Sequence, residues 1–243
     1  MDSVKKVQYL PIRTGWTTHT YALKDGILTT QEVEPPEGTD IRKVDPKAVK
    51  VCVFNAYPKN YQLFHRIYPD MMIITPDLLE ASPRNLPRIR CQTLVFQGFD
   101  TIPGNLISGQ SAIGRIIVEE GTKQLGSYCF RGLGNVKEIE LPESLRTVGP
   151  AAFLECCSLK KLQIPNKVTS IGQEAFHLCV QLETLKLPAS LEVLGAHALS
   201  RCMALKTLNL PKGIKYCAGD MYYPWELEDS RAEIKIPKTC TII

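Results

Sequence analysis

Cys156, Cys179 and Cys202 recur every 23 residues, and Gly126, Gly149, Gly172 and Gly195 keep the same interval. A fixed period of this length makes each copy one structural unit that cannot bury its apolar side alone and must stack on its neighbours. With the glycines set in one column, the apolar residues between them fall into shared positions. The clearest copy is "GQEAFHLCVQLETLKLPASLEVL", from Gly172 to Leu194. Its landmarks are Ala175, Phe176, Cys179, Leu182, Leu185, Leu187, Pro188, Leu191 and Leu194. The preceding copy repeats them from Ala152 and Phe153 to Val168 and Ile171, and the following one from Ala198 and Leu199 to Ile214. The copy from Gly126 carries Cys129, Phe130, Leu133, Ile139, Leu141 and Pro142 in the same slots. Further back, Ile107, Ile113, Ile116, Val118 and Leu125 hold the register, and then only Val95, Phe99 and Ile102. The array is expected to begin near residue 80, at the proline-rich "SPRNLPRIR".

These columns resemble the BspA-type leucine-rich repeats of bacterial surface proteins and many protist proteins, over about two-thirds of the chain. The resemblance implies a solenoid with a short strand in every coil, and no single activity. The residues support that fold independently. Leu185 and Leu187 are two apart, so in an extended chain they share the core side while Thr184 and Lys186 face solvent. The Ala-Phe pair and the Cys three residues on have the spacing of a single helical turn, expected to close the core opposite the strand. Glycine at the coil boundary is expected to supply a tight or left-handed turn. Pro188 and its equivalents lack an amide hydrogen and should end the strand ladder. The expected fold class is therefore an α/β solenoid, a leucine-rich repeat array of 23-residue coils behind a small α+β N-terminal cap. Six or seven coils at ~4.8 Å would give a body of roughly 30 Å.

The first 79 residues lie outside the repeat and are expected to form that capping unit, with the solenoid over 80–243. "THTYALKDGILTTQEVE" reads as a hairpin around Lys24-Asp25-Gly26, and "PKAVKVCVFNAYP" as a buried strand. "YQLFHRIYPDMMIITPDLLEA" reads as a short helix, a strand and a second helix starting after Thr75-Pro76-Asp77.

Nine cysteines invite a metal or redox reading, but there is no Cys-x-x-Cys pair and the four histidines are scattered. Cys156, Cys179 and Cys202 stand in an interior column, where Leu133 replaces cysteine, and read as small core residues. Cys157 should point away from the core and be the more reactive thiol. No nucleotide-binding glycine loop, His-Glu-x-x-His or serine elbow is present, so no cofactor, metal site or catalytic residue is assigned. An enzyme would need a pocket joining His19, His65 and Cys52 in the N-terminal unit.

With catalysis unsupported, the surface carries the expected function. The outward strand positions read Arg115, Glu138, Lys161, Thr184 and Thr207 in one column and Ile117, Glu140, Gln163, Lys186 and Asn209 in the other. Such mixed polarity suits a protein partner better than a phosphate backbone, which calls for uniform positive charge and stacking aromatics. The net charge of +4 comes without any run of like charges, which also argues against nucleic acid. The reading is a non-enzymatic interaction or scaffold module in a larger assembly. The rivals are a surface adhesin or exported effector that binds a host protein, and the enzyme above. No segment approaches the length of a membrane span, and "MDSVKKVQYLPIRTGW" lacks the apolar stretch of a signal peptide, so a cytoplasmic location is expected.

The last four residues, "CTII", fit a prenylation box on Cys240 or a captured free terminus, but the repeat supplies a simpler reading. Inserting three residues around "LEDSR" restores the period. Tyr222 then takes the Phe column, Trp225 the Cys column, Ile234 and Ile236 the strand, and Cys240 and Ile243 the last two core columns. On this reading Cys240 faces inward and is not prenylated. A coil completed there leaves an apolar edge, with Tyr223 and Trp225 as further candidate partner-binding residues.

Overall fold

The computed structural model describes residues 8–14, 17–32, 48–54, 67–80, 89–110, 112–217, 233–235 and 240–242. The chain opens with β1 (Gln8–Thr14), β2 (Thr17–Lys24) and β3 (Ile27–Glu32), an antiparallel meander whose second turn is Asp25-Gly26. Both turn residues have positive φ, 55° at Asp25 and 80° at Gly26, as an Asp-Gly hairpin requires. β4 (Val51–Phe54) and β5 (Met71–Ile74) follow in parallel, and then the helix α1 (Asp77–Glu80). From here every coil contributes a longer and a two-residue strand. The coils carry β6 (Thr93–Phe96) and β7 (Thr101–Ile102), β8 (Arg115–Val118) and β9 (Gln124–Leu125), β10 (Glu138–Glu140) and β11 (Thr147–Val148). They continue with β12 (Lys161–Gln163) and β13 (Ser170–Ile171), β14 (Thr184–Lys186) and β15 (Val193–Leu194), β16 (Thr207–Asn209) and β17 (Tyr216–Cys217), β18 (Glu233–Lys235) and β19 (Thr241–Ile242).

The longer strands stack into one face in parallel register, Arg115 opposite Glu138 and Lys161 opposite Thr184. The short strands form a second, seven-stranded sheet from β7 to β19, one strand per coil. Leu162, Leu185 and Leu208 point inward from the first face and Val148, Ile171 and Leu194 from the second, all 6 % exposed or less. Between the faces the chain turns at the repeated proline. Leu145, Val168, Leu191 and Ile214 each donate an amide hydrogen to the carbonyl of Pro142, Pro165, Pro188 or Pro211. The strand ladder ends two residues before each of these prolines.

The third side of each coil differs from the expected helical turn. Two positions per coil have positive φ, namely Tyr128 and Gly132, Ala151 and Glu155, Glu174 and Leu178, His197 and Arg201. A right-handed helix cannot pass through them. Instead alternate amides bond to the next coil, as Tyr128, Phe130 and Gly132 do to the carbonyls of Pro150, Ala152 and Leu154. The α/β label is therefore corrected. The protein is a β-solenoid of about seven stacked coils, and the four-residue α1 is its one helix among the described residues. Nor do the described N-terminal residues show the expected α+β cap as a separate layer. Val51 pairs with Met71 and Met71 with Thr93, so β4 and β5 extend the sheet of the coils. The first helix expected in 55–66 lies outside the described residues.

The boundary glycines also act otherwise than expected. None of Gly126, Gly149, Gly172 and Gly195 has positive φ. A Cβ on Gly172 would lie 2.6 Å from Pro150 N and 2.8 Å from Gly149 C. The column is glycine because consecutive coils touch there through their backbones.

Near the end, Thr207 pairs with Glu233, three residues beyond the usual spacing, which is the insertion the sequence calls for. Cys217, however, pairs with Ile242. The expected place of Ile243 in that column thus goes to its neighbour, because the connection back to β19 is one residue shorter than an unchanged register needs.

Candidate partner-binding face

The alternation that buries Leu162, Leu185 and Leu208 necessarily turns their neighbours outward. Glu138, Glu140, Lys161, Gln163, Lys186, Thr207 and Asn209 are exposed, and Arg115, Ile117 and Thr184 are half-buried. Register pairing sets Arg115 beside Glu138 and Ile117 beside Glu140, and Lys161 beside Thr184 and Gln163 beside Lys186. Tyr223 and Trp225 lie outside the described residues, as does the assignment of Tyr222.

The electrostatics of this face are local. Arg115 bonds Glu140 through Nη2 and approaches Glu138 with Nε 3.5 Å from Oε2. Glu140 thereby raises the arginine's pKa above its ordinary value, through the hydrogen bond first and charge second. These groups are substantially exposed, so the cluster orients side chains more than it stabilises the fold.

The face changes character along its length. Toward β3 its outward positions are mostly apolar, with Ile27, Val51 and Met71 in one column and Val53, Ile73 and Val95 beyond Thr29 in the other. Val95 leaves the core slot expected of it because β6 stands 22 residues before β8, so that Phe96 pairs with Val118 instead. Polar and charged side chains dominate from Arg115 onward. At the junction lies a groove of about 490 Å³ lined by Gln92, Thr93, Gly114, Arg115, Lys137 and Glu138 among others. Gln92, Gly114 and Lys137 immediately precede β6, β8 and β10 and stack in one column. The missing side chain at Gly114 opens the groove between two long polar ones. Gln92, Asn135 and Lys137 belong to this site although the strand pattern did not single them out. The available signal was a glycine in a column that from Lys50 to Lys206 otherwise holds charged or amide side chains, Asp70, Gln92, Lys137, Lys160 and Glu183 among them.

The thiols follow the interior reading. Cys156, Cys179 and Cys202 are buried and donate to the carbonyls of Phe130, Phe153 and Phe176 in the preceding coil, each at 3.2 Å. Leu133 fills the same column, fully buried and with no hydrogen to donate, so burial is what the position shares and the thiol adds a hydrogen bond to it. Burial pushes the pKa of Cys156 and of Cys202 up to about 12. Cys157 is half-buried, consistent with its turning away from the core. Cys52 is fully buried and its pKa is raised by burial, unlike an accessible nucleophile. His65 and the side chain of His19 lie outside the described residues. Among the described residues no group of three His, Cys, Asp or Glu side chains could hold a metal, and no helix is long and apolar enough to cross a membrane.

Comparison with known proteins places this geometry. A family described as "BspA type Leucine rich repeat region (6 copies)" matches residues 100–228. A search of curated proteins finds no match. The crystal structure of the T. pallidum leucine rich repeat protein is similar at 27 % identity and a TM-score of 0.51, covering 61 % of this chain and 68 % of that one. A leucine-rich repeat protein from Bacteroides ovatus shares the fold at 20 % identity and a TM-score of 0.53, covering 98 % of this chain and 54 % of its own. The family match spans more than half of the chain, across the coils that the columns define, and the protein belongs to the BspA-type leucine-rich repeat family.

Proposed function

We propose that the protein is a non-enzymatic interaction or scaffold module that binds a protein partner through the outward face of β8, β10, β12, β14 and β16. The observation that carries this reading is the contrast between columns. Inward positions repeat the same apolar types coil after coil, whereas the outward ones from Arg115 to Asn209 carry cationic, anionic, amide and hydroxyl groups in a fixed two-column array. A rigid array of different polar groups can match one particular protein surface. The core thiols of Cys156, Cys179 and Cys202 support a reducing, cytoplasmic setting. We place the division at about residue 80, in the proline-rich stretch ahead of Val95, Phe99 and Ile102, and assign 1–79 to covering the first coils and 80–243 to the array.

The test is affinity purification from the native host with mass spectrometry, repeated with Glu140→Lys, Lys161→Glu and Lys186→Glu combined. All three side chains are exposed, so the fold should survive and partner recovery should fall at least several-fold. An unchanged set of partners from a folded triple variant overturns the assignment of this face.

A further inference from the structure

Most interior thiols point their hydrogen at a backbone carbonyl, but one pair meets sulfur to sulfur. Cys217 ends β17 on its inward side, and Cys240 immediately precedes β19, the next strand of the same sheet. Their Sγ atoms are 2.7 Å apart. That is well inside ordinary sulfur contact and within about 0.7 Å of the ~2.05 Å of a disulfide bond. The backbone makes the approach possible, because Tyr216 pairs with Thr241 and the Thr241 amide donates to Lys215 O at 2.9 Å. The two partners differ in access. Cys217 is buried, and its pKa is pushed up to about 12 by burial and by the neighbouring sulfur, while Cys240 is half-buried.

We propose that Cys217 and Cys240 form a reversible disulfide that ties β19 to β17, with a low-molecular-weight disulfide such as glutathione disulfide as the oxidant. The more accessible Cys240 loses its proton to solvent and attacks one sulfur of glutathione disulfide, expelling a glutathione thiolate and leaving a mixed disulfide on Cys240. The Cys217 thiol passes its proton to a thiolate or to water, and its sulfur attacks Cys240 Sγ and expels the second glutathione. Two protein thiols are oxidised and one glutathione disulfide is reduced to two thiols. The bond closes a loop over the stretch where the repeat takes its insertion. It also occupies the one sulfur that a lipid could modify in "CTII".

The experiment equilibrates the folded full chain in graded mixtures of glutathione disulfide and glutathione, blocks free thiols with N-ethylmaleimide, and maps tryptic peptides. The expected product has lost two hydrogens and links the peptide 216–231 to the peptide 239–243, and dithiothreitol restores both. Hydrogen exchange at the Thr241 amide should slow about tenfold or more in the oxidised form, because β19 can then open only together with its neighbour. Cys240→Ser should abolish the linked peptides. Should that variant fail to fold, the peptide map and exchange of the unaltered chain decide alone. The proposal is overturned if Cys217 and Cys240 stay blocked singly or carry glutathione at every ratio, if either links to a different cysteine, or if Thr241 exchange does not change.

Discussion

Alanine at Gly172 and alanine at Gly134 should change stability in opposite directions. Neither glycine has positive φ, so alanine is conformationally allowed at both and should add ~0.4–1 kcal/mol by narrowing the unfolded ensemble. At Gly134 a Cβ meets nothing within 4 Å, and that gain should survive. At Gly172 the new carbon would lie 2.6 Å from Pro150 N, 2.8 Å from Gly149 C and 2.9 Å from Pro150 Cα. These are backbone atoms of the preceding coil and cannot rotate aside. Relieving the overlap requires the coils to part locally by roughly 0.8 Å. The bond from Gly172 N to Val148 O, 2.8 Å long, would stretch to the limit of hydrogen bonding. Overpacking costs ~1–3 kcal/mol and the weakened bond about 1 kcal/mol more, so the net loss after the entropic gain is about 2 kcal/mol. For a chain of this size that lowers the unfolding midpoint by about 4–8 °C. Far-UV circular dichroism on heating reads both variants against the parent. A Gly172→Ala protein as stable as Gly134→Ala would show that close approach is not why the column is glycine.

Three further outcomes follow from the same contacts. Cys179→Ala removes a buried sulfur and its hydrogen bond to Phe153 O, and should cost about 1–2 kcal/mol by urea denaturation; an unchanged midpoint would refute a structural role for the thiol column. In the folded protein at pH 8, iodoacetamide should label Cys157 well before Cys156 or Cys202, whose pKa values burial raises to about 12, and fragment-ion mass spectrometry resolves the adjacent pair. Glu120 accepts the backbone amides of Glu143 and Ser144 at 2.8 and 3.2 Å, which hold its pKa below the ordinary 4.5. Its contribution to stability is present above 4.5 and is lost as pH falls through the lowered folded value; a carboxyl titration by NMR at or above 4.5 contradicts this.

What could be read from sequence depended on whether a residue's role repeats. Leu185 and its equivalents recur because each coil buries the same point of its strand, so the strands, the prolines and the inserted residues before β18 were all legible. The third side was not. Its left-handed positions carry Tyr128, Ala151, Glu174 and His197, residues with no common preference for that conformation. Inter-coil hydrogen bonds hold the backbone there against local propensity, so the Ala-Phe-x-x-Cys spacing suggested a helix. The glycine column misled in the same way, since a conformational need and a steric one select the same residue. Weak repeats concealed the extent of the sheet. β4 and β5 keep the strand register while lacking the Phe, Cys and Pro columns that close later coils.

The outward face proposed for binding was legible as a surface for a related reason. Stacking fixes the inward columns, so any departure from repetition must lie outward, and the outward residues could be named by counting twos from the buried leucines. What counting could not supply was relief. The groove beside Arg115 exists because Gly114 interrupts a column in which Gln92 precedes it and Lys137 follows. An alanine there would place its Cβ 2.9 Å from Gln92 Nε2, the end of a flexible side chain that can swing away. The fold therefore does not require glycine at this position as it does at Gly172. Gly114 is better explained by the surface it opens than by packing, and it sits where the apolar and the charged parts of the face meet. A partner with a side chain to insert beside Arg115 and a charged strip to lay along β10 to β14 would use both parts at once.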